Sequence, residues 1–312
     1  MSIVRPIVSI SGGKDSLACA ILALDQFPDT VRFVMADTGN EHPLTLAYVN
    51  DYLTGRFNRP IETVRAEFSR EIAQKRLYVE TKWSGKGVPD DIIARTLSVL
   101  QPTGNPFLDL CLWKGRFPSR MAQFCTQHLK RYPLDRYLME RVSEGGTVES
   151  WRGVRKAESE RRKNALAREH MAEGYWVVQP VVEWSAQEVV DFARKRGYRH
   201  NPLYMMGMGR VGCMPCINSS KDEILAVSWR APEHIDKIEE WESLVGMASK
   251  RGFASFFTER AEDDDETPAE TFDRANIREK IRWAQTSRGG KQFDMIRTAP
   301  PPACASVYGL CE

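Results

Sequence analysis

The hexapeptide Ser11-Gly12-Gly13-Lys14-Asp15-Ser16 constrains this chain more than any other stretch. It follows the β-branched run 3–10 (IVRPIVSI) and precedes the apolar run Leu17 to Leu24, which has helical character. A glycine turn between a strand and a helix is where an anion-binding loop belongs. Glycines let the backbone approach a phosphate, and N–H groups at the helix start point at it. Lys14 adds a point charge and Ser16 a hydroxyl donor. A Walker A loop is excluded: it needs G-x-x-x-x-G-K-[ST], whereas Lys14 is followed by Asp15 and no earlier glycine has the right spacing. Gly207-Met-Gly-Arg-Val-Gly212 satisfies G-x-G-x-x-G, but it runs into Cys-x-x-Cys instead of linking a strand to an apolar helix, so it is set aside.

Further strands are predicted over 31–36, 61–64, 148–151 and 176–178. Helices are predicted around 43–56, 67–77, 121–144 and 155–173. Strands alternating with helices, without internal repeats, imply an α/β fold with a largely parallel sheet. The Gly- and Pro-rich stretch 83–118 reads as an insertion or mobile loop. From Trp184 the pattern changes: WSAQEVVDFARKRG is an amphipathic helix capped by Ser185 and stopped by Gly197. Beyond the loop 201–216 come helical segments at 232–251 and 270–286, separated by the acidic run ERAEDDDE, which reads as a solvated loop. The expected division is a nucleotide-binding domain at 1–200 and a mainly helical, Cys-containing region at 201–312, with its tail folding back onto the first.

No apolar run approaches the roughly 20 residues of a membrane span, and the N-terminus reads as no signal peptide. A cytoplasmic location without membrane contact is therefore expected. There, clustered cysteines point to metal or redox chemistry before disulfides. Cys213-Met-Pro-Cys216 is the strongest metal signal, with further ligands to come from Cys125, Cys304 or Cys311. Cys19, within an apolar run, and Cys111, without a partner by spacing, are set aside. The net charge of +2 conceals a basic segment: residues 114–168 hold 14 Lys and Arg against six Asp and Glu, +8, leaving −6 elsewhere. Such a segment is the footprint of a phosphate-rich ligand.

SGGKDS resembles the PP-loop of the ATP pyrophosphatase superfamily, and Asp37-Thr38-Gly39 after the second strand is similar to it as well. Residues 125–134 (CTQHLKRYPL), 153–162 (GVRKAESERR), Pro180 with Glu183-Trp184-Ser185, and Asn201-Pro202-Leu203-Tyr204 resemble signatures of the phosphoadenosine phosphosulfate reductase family. Together the motifs cover about residues 7–216. The resemblance implies an adenine-nucleotide α-hydrolase-like fold that binds ATP and Mg²⁺ through Ser11, Gly12, Gly13, Lys14, Asp15, Ser16 and Asp37. Lys130, Arg155 and Arg161 would surround the nucleotide phosphates, with Lys14 and Asp15 in catalytic positions. Iron–sulfur members of the family use a Cys-Cys pair and a later Cys-x-x-Cys. Here Cys125 takes the first place of the pair but Thr126 the second, so a [4Fe–4S] cluster on Cys125, Cys213 and Cys216 would need Cys304 or Cys311. Structural zinc, or free or redox-active thiols, are the alternatives.

Two activities follow from the resemblance. One is an ATP-consuming sulfur-transfer enzyme that adenylates an acceptor oxygen, releases pyrophosphate and takes sulfur from a cysteine desulfurase. It is similar to the ATP pyrophosphatase component of DNA phosphorothioation, which implies a DNA or RNA acceptor. The other is a thioredoxin-dependent phosphosulfate reductase, in which a tail cysteine, here Cys311, attacks sulfur. The intact SGGKDS favours the first.

Overall fold

The computed structural model describes residues 3–259, 261–287, 306 and 308–310. Six strands form one sheet in the order β3-β2-β1-β4-β6-β5. They span Val4–Ile10 (β1), Arg32–Asp37 (β2), Ile61–Arg65 (β3), Thr147–Trp151 (β4), Arg168–His170 (β5) and Trp176–Val178 (β6). All pairings are parallel except β5 with β6. The chain moves outward from β1 through β2 to β3, then restarts on the other side of β1 with β4. The strand order thus reverses between β1 and β4, and in open α/β sheets that crevice, at the carboxyl ends of the strands, is where ligands bind.

Both faces of the sheet are covered, so the central strands are apolar on alternating sides. Val8 and Phe33 face a core with helix α1 (Lys14–Gln26), the helical run Pro43–Ala47 (α2), Tyr48–Leu53 (π-helical) and Thr54–Phe57 (α3), and α8 (Ala186–Lys195). Their neighbours Ile7 and Val34 face Tyr137 and Leu138 of α7 (Tyr132–Ser143), which continues the π-helical Thr126–Arg131. Ser185 caps α8 in a reciprocal capping box with Glu188, and Gly197 follows at φ +73.

Two expectations fail here. The stretch 83–118 is no loop: it carries α5 (Asp90–Val99) and α6 (Pro106–Lys114), and Leu100, Phe107, Leu110, Leu112 and Phe117 lie in the largest apolar cluster. Asn105 accepts the N–H groups of Phe107 and Leu108, Pro106 follows, and Gly115 ends α6 in the left-handed conformation. These are strong helix signals, and the apolar run PFLDLCLW between them is core. Residues 155–173, in contrast, are not a helix. They form two short turns, Lys156–Glu158 and Glu160–Arg162, and the edge strand β5. About half of that segment is charged, and its few apolar residues form no stripe to bury, which is what stabilises a helix in a protein.

Past 200 the chain is helical: α4 (Ser69–Lys82) and α5 share a core with α9 (Lys221–Arg230), α10 (Pro232–Met247) and α12 (Ile277–Ala284), and α11 (Pro268–Ala275) packs on α12. Residues on both sides of position 200 share this core, and Thr96 of α5 donates to the carbonyl of Met247 at 2.9 Å. No described helix is long and apolar enough to cross a membrane.

Candidate functional site

The loop after β1 needs glycine at its first turn. Gly12 sits at φ +72, and a Cβ there would lie 2.7 Å from the Thr45 methyl group. Gly13 precedes α1 in an extended conformation and has no side chain to cap the helix start. The Ser16 hydroxyl folds back, donating to the Gly13 carbonyl at 2.9 Å and accepting the Ser11 N–H at 3.2 Å. Tyr204, buried, accepts the Lys14 N–H at 3.1 Å through its hydroxyl. Asn201, also buried, donates to the Gly12 carbonyl and to Thr45 Oγ1. The Asn-Pro-Leu-Tyr segment therefore holds the glycine loop from behind. Tyr204 and Asn201 were legible only as parts of a motif, without a role.

Across the reversal crevice, the chain leaving β4 presses on the same loop. A Cβ on Gly153 would lie 2.6 Å from the Asp15 carbonyl carbon and 2.7 Å from the Ser16 nitrogen. Two residues later, Arg155 Nε donates to Asp15 Oδ1 at 2.5 Å, while Lys14 Nζ lies 3.2 Å from Asp15 Oδ2. Arg155 and Lys14 are both buried, with 4% and 6% exposure. One carboxylate thus holds two buried cations at the positive end of α1, the arrangement that suits a multiply charged phosphate chain. Tyr308 of the tail covers this set, its ring 4.9 Å from Lys14 Nζ and packed edge-on against Tyr204.

Beside the loop lies the turn after β2. Asp37 accepts the Gly39 N–H at 2.8 Å and is 3.4 Å from Arg65, so it shapes the turn at the carboxyl end of its strand. Glu41, buried, accepts from Thr38 through both the backbone N–H and the hydroxyl. The Cys213 thiol sits 3.4 Å from that hydroxyl and 3.8 Å from Glu41 Oε1. Val211, two residues before Cys213, accepts from Thr45 at 2.6 Å and packs over Gly13, so the cysteine segment abuts the glycine loop.

Cys125, Cys213 and Cys216 converge on Lys130. Burial raises the Cys213 thiol, with Lys130 opposing, and pushes Cys125 up to about 11, with the other two sulfurs adding to it. Lys130 is raised, chiefly by Cys213 with Glu41, Cys216 and Cys125 contributing, so it stays an ammonium among thiols. A single tetrahedral zinc with bonds of about 2.3 Å needs sulfurs about 4 Å apart. These three are not all within 4.8 Å of one another. Cys304 and Cys311 lie outside the described residues. Cys19 and Cys111 are buried in cores, although Cys111 is electrostatically coupled to Cys125, which spacing did not suggest.

Of the other expected site residues, Arg161 is exposed on the turn Glu160–Arg162 and, among the described residues, contributes none of the loop's hydrogen bonds or ion pairs. Much of the basic segment is matched by carboxylates: Arg131 by Asp135, Arg141 by Glu62 and Glu144, Lys156 by Glu183, Arg162 by Glu158 and Arg168 by Glu149. Lys130 and Arg155 are the members placed at the thiols and the loop.

The family profile described as the phosphoadenosine phosphosulfate reductase domain matches residues 5–85 and 109–219. A 37.8 kDa protein of Escherichia phage 186, whose function is uncharacterised, is 42% identical over 98% of this chain and 96% of its own length. An adenosine 5′-phosphosulfate reductase of Allochromatium vinosum is 34% identical over 32% of this chain and 36% of its own. Among solved structures, a phosphoadenylyl-sulfate reductase from Candida auris aligns with a TM-score of 0.41 and 15% identity, covering 67% of this chain and 81% of that one.

Proposed function

Because the chain belongs to the phosphoadenosine phosphosulfate reductase family, we propose that it is an enzyme of ATP-dependent sulfur transfer. It would bind ATP with Mg²⁺, join the α-phosphate to an acceptor oxygen and release pyrophosphate. A sulfur nucleophile would then displace AMP. Adenylation converts a poor leaving oxygen into a good one, which is the reason to consume ATP.

The observation that carries this reading is the intact loop with Asp15 clamped between Lys14 and Arg155 across the reversal crevice. In this reading the two cations would face the negative charge that gathers on the departing pyrophosphate, and such preorganised charge is the usual largest contribution to phosphoryl-type transfer. Asp37, at the carboxyl end of β2, would take Mg²⁺ in place of its ion pair with Arg65. The acceptor is proposed to be a nucleic acid, DNA or RNA, and the sulfur donor a cysteine desulfurase.

The thiols of Cys125, Cys213 and Cys216 would hold an iron–sulfur cluster, with Cys304 as fourth ligand. Such a cluster, when bound, supplies electrons or a sulfur-binding iron. Lys130 would then offset the thiolate charge, and Glu41 with Thr38 would orient Cys213.

A second reading is favoured by one observation, the tail lying over Lys14 through Tyr308. In a reductase, the Cys311 thiolate would attack the sulfur of a phosphosulfate, expelling the nucleotide and leaving an S-sulfonated cysteine. A thioredoxin dithiol would then release sulfite and become a disulfide.

One assay separates them. Anaerobically purified protein is incubated with α-phosphate-labelled ATP, Mg²⁺ and DNA or tRNA. Pyrophosphate with labelled AMP or adenylated nucleic acid supports the first reading. Sulfite release from a phosphosulfate with thioredoxin, and no pyrophosphate from ATP, overturns it in favour of the second.

A further inference from the structure

We propose that His42, Glu233 and His234 form a binding site for a first-row divalent metal ion such as zinc, separate from the cysteines and independent of the adenylation reading. Their ligand atoms, two imidazole nitrogens and a carboxylate oxygen, all lie within 4.8 Å of one another. Among the described residues, no other His, Cys, Asp and Glu side chains meet that spacing. The two rings stack almost parallel, with centroids 4.9 Å apart and 6° between their planes. Both histidines are buried and Glu233 is exposed, so the group is anchored on one side and open on the other.

The chemistry of the rings fits a metal. Burial lowers both histidines, His234 to about 4, and Lys237 adds to the effect, which favours the neutral ring with its lone pair. His234 Nδ1 is 2.9 Å from the Met214 carbonyl. A carbonyl only accepts, so the proton is on Nδ1 and Nε2 is left as a donor to metal, the anchoring seen for metal-bound histidines. Lys237 Nζ, 3.3 Å from the same nitrogen, has a better acceptor in Asn40 Oδ1 at 3.1 Å. His42 differs. Its Nδ1 accepts the Leu44 N–H at 3.0 Å and caps α2, so Nε2 carries the proton without metal. Coordination through Nε2 moves that proton to Nδ1 and gives up one helix cap. Two nitrogens and one oxygen at 2.0–2.2 Å leave a fourth position to water, a set that suits zinc. A ring nitrogen binds metal in its own plane, so one imidazole must turn out of the stack, and the ligand atoms must close by up to about 1.4 Å to reach those bond lengths.

The position gives the site a consequence. His42 lies within the region matched by the family profile, which ends at 219, whereas Glu233 and His234 open α10 beyond it. A metal here pins the C-terminal helices to the turn that holds Glu41 against Cys213.

The test uses the full chain carrying Cys213→Ser and Cys216→Ser, stripped by chelator and titrated with cobalt(II), then with zinc as competitor. One equivalent of cobalt giving ligand-field bands without thiolate charge-transfer absorption, displaced by zinc, is expected. Glu233→Gln, at an exposed position, should weaken zinc binding at least tenfold or so, and His234→Gln should abolish it. Failure to take up the metal, or uptake with the same affinity in Glu233→Gln and His234→Gln, overturns the proposal. If the cysteine variant does not fold, the same titration on the unaltered chain still reads the site, because thiolate-bound and nitrogen-bound cobalt differ in spectrum. Pyrophosphate release plays no part in this readout, so the two proposals fail separately.

Discussion

Replacing Gly153 with alanine tests whether the two sides of the reversal crevice act as one unit. The added Cβ would meet three backbone atoms, the carbon and oxygen of Asp15 and the nitrogen of Ser16, at 2.6–2.7 Å, where ordinary contact begins at 3.4 Å. Backbone at a helix start cannot rotate aside as a side chain does, so the first turn of α1 and the end of β4 must separate by about 0.8 Å. That movement stretches the 2.5 Å bond from Arg155 to Asp15 and displaces Lys14 with it. Overpacking of this kind costs about 1–3 kcal/mol. For a chain of this length that lowers the melting temperature by roughly 2–5 °C. The effect on function should be larger, because a shift near 1 Å in a positioning group can cost about 100-fold in rate. Calorimetric titration with ATP and Mg²⁺, with pyrophosphate release alongside, measures it. Gly55→Ala is the control: Gly55 is exposed in α3, a Cβ there meets nothing within 4 Å, and alanine should be neutral or slightly stabilising. If Gly153→Ala binds nucleotide and melts as the unaltered protein does, the crevice is not closed by this contact and the argument from the clamp fails.

Arg155→Met should destabilise the fold by about 3 kcal/mol, since it removes one partner of a buried ion pair and leaves Asp15 to Lys14 alone. Asp15→Asn in the same chain should recover part of that loss, read by denaturant titration. Glu242 sits buried between helices, accepting the Phe256 and Ile277 N–H groups, and burial raises its carboxyl to about 7. The unfolded chain releases this proton near pH 4.5 and the folded chain keeps it to about 7. Stability from this group is therefore full at low pH and falls as pH rises through that window, by about 3 kcal/mol in all. Melting curves from about pH 5 to about pH 8 should show that slope, and Glu242→Gln should remove it.

The glycine loop was legible because local chemistry dictates it: a β-branched run, two glycines and an apolar helix are contiguous, and the structure places them as β1, loop and α1. The Ser185 cap of α8 was legible for the same reason. The helices in 83–118 are hidden from a reading of composition because their boundary glycines and prolines are also loop signals. Asn105-Pro106 and Gly115 are the boundaries of α6, and the apolar residues between them are core. The helix expected over 155–173 fails in the opposite sense, since that segment offers no apolar face to bury.

What the sequence determined by itself, then, was the strand–loop–helix unit, its anion-binding character and the alternation that makes a parallel sheet, because each depends on neighbours within a few residues. Only the tertiary structure decided which distant groups complete the site. Gly153 and Arg155 reach Asp15 because β4 pairs beside β1. Tyr204 and Asn201 reach the loop from nearly two hundred residues away, and Glu41 meets Cys213 through a bridge across a comparable separation. The matching of basic residues 131–168 by carboxylates is equally a tertiary outcome. Side-chain contacts of this range follow from strand order and packing, and no spacing along the chain encodes them.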